Sequence, residues 1–228
     1  RGRRLKVADK IQKMINQTRH VKVLVGNQKY IFGDIAGPFT MAAVMVGTSD
    51  FIMLMLEEPE IVHELLDFTV CVSAEMFTLL HENGCDIAFP AEPVGSGSLI
   101  SQEMFEEWVI PSLKKLKEKL PFYKYFYAHV CGASGNRVAA LRECGVNVFS
   151  VDYLVDFDKA VEKMVMIANI NPAGTLLTGT PSEVYKEACE RIKIANGHSH
   201  ILAPGCDLGA DTPLENVKML SKACKDMA

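Results

Sequence analysis

A histidine and a cysteine separated by one residue, His129 and Cys131, are the sharpest chemical feature of this sequence. In extended backbone, side chains two positions apart point to the same side, so this spacing aims an imidazole and a thiol at one point. Cys206, after the last short apolar run, is the best candidate for a third soft ligand. Three such ligands predict a zinc site with one open position. The alternative is a histidine with satisfied hydrogen bonds and two buried thiols.

The chemistry that this ligand set favours follows from its charge. Zinc with an open position can bind a substrate thiol and present it as a thiolate nucleophile, or it can activate water. Two anionic thiolates and a neutral imidazole leave the site formally neutral, which lowers its Lewis acidity and keeps a bound sulfur electron-rich. The ligand set therefore favours alkyl transfer over hydrolysis.

Further polar residues follow the apolar runs that we interpret as strands: Glu92, Asp152, Asn169 and Asn171. In parallel α/β barrels the active site is built from these C-terminal strand ends, so the pattern favours an enzyme. Each residue also has a plainer interpretation, in which Glu92 caps its loop and the asparagines make hydrogen bonds within theirs. Ser96 lies in a glycine–serine loop that could hold a phosphate or simply turn tightly.

Short apolar runs alternate with longer amphipathic segments along the chain, which predicts six strand–helix units. The predicted strands are near residues 30–35, 85–89, 122–128, 146–151, 165–170 and 200–203. Such alternation is typical of an α/β fold with a parallel sheet covered by helices. No linker divides the chain, so we predict a single domain over residues 1–228.

Helix signals are strong at three places. The segment from Pro59 to Asn83 has apolar residues at steps of three and four, which predicts a helix; they are Ile61, Leu65, Phe68, Val72, Met76 and Leu80. Thr180 and Thr212 each precede a proline and stand three residues before a glutamate. Both patterns predict a capping box at the start of a helix.

Composition excludes several classes of protein. The chain has 228 residues, of which 49% are hydrophobic and 23% charged, so a mainly disordered chain is excluded. The formal net charge of −4 argues against nucleic-acid binding through a basic surface, and the basic start, Arg1 to Lys6, is too short to alter that. No apolar run approaches the about 18–20 residues of a membrane span, and no signal peptide is visible. Seven cysteines, an odd number, favour a reducing cytoplasm over a disulfide framework.

Five fragments occur in a fixed order along the chain: Gly37-Pro38-Phe39-Thr40, Gly95 to Ser101 with Met104-Phe105-Glu106-Glu107, His129-Val130-Cys131-Gly132, Ala168-Asn169-Ile170-Asn171-Pro172 and Ala203-Pro204-Gly205-Cys206. Together they resemble the uroporphyrinogen decarboxylase superfamily, and within it they are similar to the zinc-dependent methyltransferases of the methylcobalamin:coenzyme M type. The resemblance runs from about Gly33 to the C-terminus.

The resemblance implies a (β/α)8 TIM barrel and a zinc ion held by His129, Cys131 and Cys206. It implies methyl transfer between a corrinoid, methylcobalamin on a small corrinoid protein, and a small-molecule thiol or similar acceptor such as coenzyme M. A homodimer is compatible with it. Because only six of eight units are visible, we expect this chain to be the C-terminal portion of a barrel domain that lacks one or two N-terminal βα units.

The resemblance also suggests roles for single residues. Asp152 matches the place of an acidic residue that can occupy the open zinc position, although a glutamate is expected there. Glu92 is the second candidate catalytic residue. We expect Ser96, Asn169 and Asn171 to contact substrate or cofactor.

Three alternatives remain open from the sequence. A metal-free decarboxylase of the same superfamily is the first, although that branch has Gly-His where this chain has Gly205 and Cys206. A corrinoid-dependent O-demethylase methyltransferase I, with zinc on two glutamates and a histidine, is the second, because Glu92, Glu107 and His129 come near its spacing. The third is a corrinoid-binding or scaffold protein that has kept the fold and lost the chemistry.

Overall fold

The computed structural model describes residues 2–227, with side chains from residue 9 onward. The basic start of the chain, residues 1–6, therefore lies outside the described side chains. The chain forms two compact units: Arg1–Ala91 with Ser112–Phe126, and Glu92–Pro111 with Tyr127–Ala228.

Strands and helices alternate through both units, as the sequence predicts. The first unit contains α1 (Gly2–Val25), β1 (Phe32–Ala36), α2 (Pro38–Val46), α3 (Thr48–Glu57), α4 (Pro59–Glu82) and β2 (Ile87–Ala91). The second contains α5 (Gln102–Met104), α7 (Val138–Glu143), β4 (Val148–Val151), α8 (Phe157–Val161), β5 (Val165–Ile170), α9 (Pro181–Ala195), β6 (His200–Pro204) and α10 (Leu214–Asp226). Helix α6 (Ile110–Lys119) and strand β3 (Tyr125–Val130) have residues in both.

In the first unit, β1 and β2 pair in parallel, and α4 confirms the predicted long helix. Its periodic apolar stripe is buried only in part, because Ile61 and Phe68 are 41% and 55% exposed, whereas Leu80 is 3% exposed. The buried positions include Val62, Val70 and Phe77, which lie on a neighbouring face. This helix carries apolar residues on more than one side, so periodicity alone could not tell which side meets the core.

In the second unit, β3, β4, β5 and β6 pair in parallel in chain order. The register sets His129 of β3 opposite Ser150 of β4. A buried apolar cluster packs β5 against the two last helices, and it consists of Ile170, Leu176, Val184, Ala188, Leu220 and Ala223. This packing fixes the strand ends from which the loops of the candidate site emerge.

The two predicted capping boxes have different outcomes. At α9, the Thr180 side chain accepts from the Glu183 backbone and the Glu183 side chain accepts from the Thr180 backbone, which confirms the capping box. At α10 the prediction is wrong, because the N-cap residue is Pro213 and no side-chain cap bond is present. Thr212 therefore lies one position too early, and its Oγ1 is buried without a hydrogen-bond partner.

Among residues 2–227, no single helix is both long and apolar enough to cross a membrane. Helices α2 and α3 reach that length and composition only as a pair, and the pair is bent by 102° at the break between them. Much of α2 is core, since Phe39, Ala42 and Ala43 are fully buried.

Candidate metal site

Three predicted ligands meet at the carboxyl ends of strands in the second unit. His129 is the penultimate residue of β3, Cys131 follows that strand, and Cys206 lies two residues beyond β6. His129 Nε2 is 3.1 Å from Cys131 Sγ, and Cys206 Sγ is 3.7 Å from each of those two atoms. Within the part of the chain that the structure describes, this is the one group of three histidine, cysteine or acidic side chains able to hold a metal ion.

The spacing of the donor atoms fits a tetrahedral zinc ion. Bonds of about 2.3 Å to sulfur and about 2.0–2.1 Å to nitrogen place two sulfurs about 3.8 Å apart, and a sulfur and a nitrogen about 3.6 Å apart. The two distances from Cys206 match these values, and the His129–Cys131 distance of 3.1 Å is shorter than the value for a bound ion. The donor set of two thiols and one imidazole is also one that zinc prefers.

The His129 ring is held in the orientation that a metal ligand needs. Its Nδ1 is 3.1 Å from the carbonyl oxygen of Ser150 and 3.1 Å from Ser150 Oγ. A hydrogen on Nδ1 donates to this carbonyl, which directs the Nε2 lone pair towards Cys131, where a metal ion would bind. Sequence analysis missed Ser150, because only the register of β3 and β4 brings it beside His129.

The Cys131 thiol lies in a half-buried environment that disfavours its charged form. Burial, followed by the neighbouring Cys206 thiol and the acidic side chains of Asp152 and Asp207, raises the pKa of Cys131 to about 12. A cation between the two sulfurs would reverse this effect, because a coordinating thiol is deprotonated by the metal.

Asp152 lies beside the ligands and is only 6% exposed. Its Oδ2 accepts a hydrogen bond of 2.9 Å from the Gly132 backbone N–H, and its Oδ1 accepts one of 3.0 Å from Leu154 N–H. Both carboxylate oxygens are therefore engaged with backbone donors. Asp152 is not a member of the three-residue ligand group.

Glu92 and Ser96 lie in the loop after β2. Glu92 is fully buried, and its backbone N–H donates to the His129 carbonyl at 2.8 Å. Ser96 is 5% exposed and accepts from Ser98 N–H. A Cβ on Gly132, the residue after Cys131, would lie 2.5 Å from Ser96 Oγ. The loop that carries Ser96 is therefore packed against the loop that carries Cys131.

The two predicted asparagines have different surroundings. Asn169 is fully buried, and its Nδ2 donates to the backbone carbonyls of Asp152 and Val155, while its Oδ1 is buried without a hydrogen-bond partner. Asn171 accepts from Gly174 N–H at 2.8 Å and caps a π-helical turn. Asn171 thus makes the local loop bond of the plainer interpretation.

Glu107 is exposed and does not join the candidate ligand group, so the zinc pattern of two glutamates and a histidine is not assembled among the described residues.

Arg137, which the sequence analysis missed, anchors the segment that follows Ser96. Its side chain is fully buried and donates to the Ile100 carbonyl at 2.7 Å. Its guanidinium lies over the Phe105 ring, 4.7 Å from the ring centre. Arg137 therefore fixes the segment from Ile100 to Phe105, and no local sequence pattern predicts this role.

Alternating helices and parallel strands, with a His–Cys–Cys group at strand ends, define an α/β protein with a candidate metal site. The uroporphyrinogen decarboxylase (URO-D) family model matches residues 3–227. The chain belongs to this family, which confirms the resemblance.

Comparison with individual proteins agrees with the family. The chain is 31% identical over 205 residues to the methylcobamide:CoM methyltransferase MtbA of Methanosarcina acetivorans, covering 88% of this chain and 59% of that protein. It is 25% identical over 217 residues to the uroporphyrinogen decarboxylase of Prochlorococcus marinus, covering 89% and 60%. A solved methyltransferase from Methanosarcina mazei superposes with a TM-score of 0.87 at 26% identity, covering 93% of this chain and 63% of that one. The chain thus spans less than two thirds of the length of each.

Proposed function

We propose that this chain is part of a zinc-dependent methyltransferase that moves a methyl group between a corrinoid and a thiol such as coenzyme M. The observation that carries the proposal is the triangle of His129 Nε2, Cys131 Sγ and Cys206 Sγ, with sides of 3.1 to 3.7 Å. Similarity to proteins named methylcobamide:CoM methyltransferases supports the same reaction class.

The proposed roles follow from the surroundings of each side chain. When bound, zinc would hold the acceptor sulfur and favour its thiolate form. His129 and the two cysteines would supply three ligands and leave a fourth position for the acceptor. Ser150 fixes the imidazole through Nδ1, so that Nε2 stays directed at the site.

The remaining predicted residues are assigned to binding, except Glu92, which is assigned to proton transfer. Ser96 is proposed to contact substrate or cofactor because its loop packs beside Cys131. Asn169 offers a buried Oδ1 without a partner, which could accept a substrate hydrogen bond. Glu92 is retained as a catalytic candidate because a fully buried carboxyl group next to the ligand loop is positioned for proton transfer. Asn171 is retained only as a candidate, since its amide caps a turn.

The proposed partners are methylcobalamin as methyl carrier, a corrinoid protein that presents it, and a small-molecule acceptor. The family match runs through both units, which supports assigning them to one catalytic domain. Seven free cysteines support a reducing cytoplasm as the location. A homodimer is the proposed assembly to be checked by light scattering.

A metal-free decarboxylase is the second candidate, because uroporphyrinogen decarboxylases are also among the relatives. Two thiols 3.7 Å apart beside an imidazole form a donor set that suits zinc and that a metal-free decarboxylation does not require, so the site geometry favours the methyltransferase. The two candidates therefore differ in metal content as well as in substrate.

Metal analysis and two parallel assays test the proposal on the full-length protein. We expect about one zinc per chain and loss of the methyl–cobalt absorbance when methylcobalamin and coenzyme M are added. Uroporphyrinogen is offered in a second assay, with release of CO2 as the readout. Zinc below about a tenth of an equivalent, or CO2 release without methyl transfer, would reject the methyltransferase.

A ligand variant and a matched control locate the site. Cys206→Ala should lose both zinc and methyl transfer, whereas Cys71→Ala, an exposed thiol on α4, should keep both. Full zinc content and full transfer in Cys206→Ala would refute the assignment of Cys206.

A further inference from the structure

The Asp152 carboxylate joins two loops of the candidate site in a way that the ligand role does not explain. It is nearly buried, and both of its oxygens accept backbone hydrogen bonds, from Gly132 at 2.9 Å and from Leu154 at 3.0 Å. A carboxylate that accepts two such bonds is held in one rotamer and has little freedom to turn towards a metal. Its position is therefore set by the protein itself.

The first of these bonds holds the residue that follows Cys131. Gly132 follows Cys131, and its φ of +69° lies in the left-handed region. The bond from Gly132 N–H to Asp152 fixes the peptide between Cys131 and Gly132. The direction of the Cys131 side chain depends on that peptide.

The peptide that follows Asp152 lies against Gly205, the residue before the second thiol, Cys206. A Cβ on Gly205 would lie 2.4 Å from the backbone nitrogen of Tyr153 and 3.1 Å from the carbonyl carbon of Asp152. The residue before Cys206 is therefore seated against the Asp152–Tyr153 peptide. Asn169 Nδ2 anchors the same turn through the carbonyls of Asp152 and Val155, at 3.2 and 3.1 Å.

We propose that Asp152 is a positioning residue, which sets the spacing of Cys131 and Cys206 by bracing Gly132 with its carboxylate and Gly205 with its peptide. This role is independent of metal, and it differs from occupation of the open zinc position. It rests on the proposed function only in treating the two thiols as metal ligands.

The first experiment is made on the metal-free protein. Asp152→Asn keeps the shape but has one acceptor oxygen, so it cannot accept both backbone bonds. Asp207→Asn is the matched control, because it removes the same charge from an exposed side chain next to Cys206. With a chelator present, we expect hydrogen exchange of the Gly132 amide to accelerate by about tenfold or more in Asp152→Asn and to stay unchanged in Asp207→Asn.

The second experiment uses the metal-loaded protein. Zinc affinity is measured by chelator competition, and the ligand set is read from the absorption bands of the Co²⁺ form. We expect Asp152→Asn to bind zinc about 10- to 100-fold more weakly while the cobalt spectrum still reports two thiolates. Unchanged Gly132 exchange together with a changed oxygen ligation of cobalt would overturn the proposal and assign Asp152 as a ligand.

These experiments distinguish failure of the proposed function from failure of the positioning role of Asp152. If the wild-type protein binds neither zinc nor cobalt, the proposed function fails, while the exchange experiment still decides the role of Asp152. If Asp152→Asn does not fold, the wild-type protein decides alone. Protection of the Gly132 amide without metal supports the proposal, and protection that appears only with zinc contradicts it.

Discussion

The imidazole of His129 lies beside Ser150 of the neighbouring strand, with Nδ1 at 3.1 Å from both the carbonyl oxygen and the hydroxyl of that residue. The parallel register of β3 and β4 sets these two residues opposite each other. The carbonyl can only accept, so it selects the tautomer with hydrogen on Nδ1. Strand pairing therefore orients the His129 ring so that Nε2 faces the candidate metal site.

Ser150→Ala tests which of the two Ser150 oxygens orients the His129 ring. The carbonyl stays in place, so we expect zinc affinity to fall by less than the about 10-fold seen when an outer partner is lost altogether. His129→Ala should abolish binding at the same zinc concentration. Chelator competition measures both variants, and equal losses would show that the hydroxyl, not the carbonyl, orients the ring.

Metal binding should depend on pH with a defined sign. The raised pKa of Cys131, about 12, keeps this thiol protonated at neutral pH without metal. A metal must displace that proton, so the apparent affinity should rise with pH by about tenfold per unit for each proton displaced. Titrations from about pH 6.5 to 8.5, corrected for chelator protonation, measure the slope. An affinity that does not change over this range would contradict the thiol ligation.

Gly132→Ala should destabilise the protein and disturb the site. Alanine at this position would have to adopt a positive φ of +69°, and its Cβ would lie 2.5 Å from Ser96 Oγ. Gly197→Ala is the matched control, because its φ is +84° and nothing lies within 4 Å of the new Cβ. We expect the control to cost about 1–2 kcal/mol and Gly132→Ala at least about 1 kcal/mol more.

Urea unfolding and zinc affinity, measured on the same two glycine variants, check that expectation. Only Gly132→Ala should weaken zinc binding, because its loop carries Cys131. Equal costs for the two variants, with equal zinc affinity, would show that the Ser96 loop moves freely away from Gly132.

Two threonines with the same local sequence should differ in their contribution to stability. Thr180→Ala removes a capping box and should cost about 1 kcal/mol. Thr212→Ala removes a hydroxyl that is buried without a partner, so its cost should be near zero or negative. Urea unfolding measures both free energies, and a larger loss for Thr212→Ala would contradict the structure at the start of α10.

These threonines show where local sequence stops being sufficient. A threonine before a proline, with a glutamate three residues on, predicts a capping box at both helices, and α9 has it. At α10 the helix begins one residue later, with Pro213 as its N-cap residue. Helix α4 shows the same limit, since its length follows from periodicity while its core face depends on which neighbour it meets.

The sequence by itself determined the alternation of strands and helices, and it determined the pairing of His129 with Cys131, because both depend on local backbone geometry. The tertiary structure decided that Cys206 joins them in the candidate metal site. Strands β3 and β6 are separated by two others, so a flat sheet would hold them about 14 Å apart. Cys206 is nevertheless 3.7 Å from Cys131, and Asp152 braces the loops of both thiols. Such contacts depend on long-range packing, which no local pattern encodes.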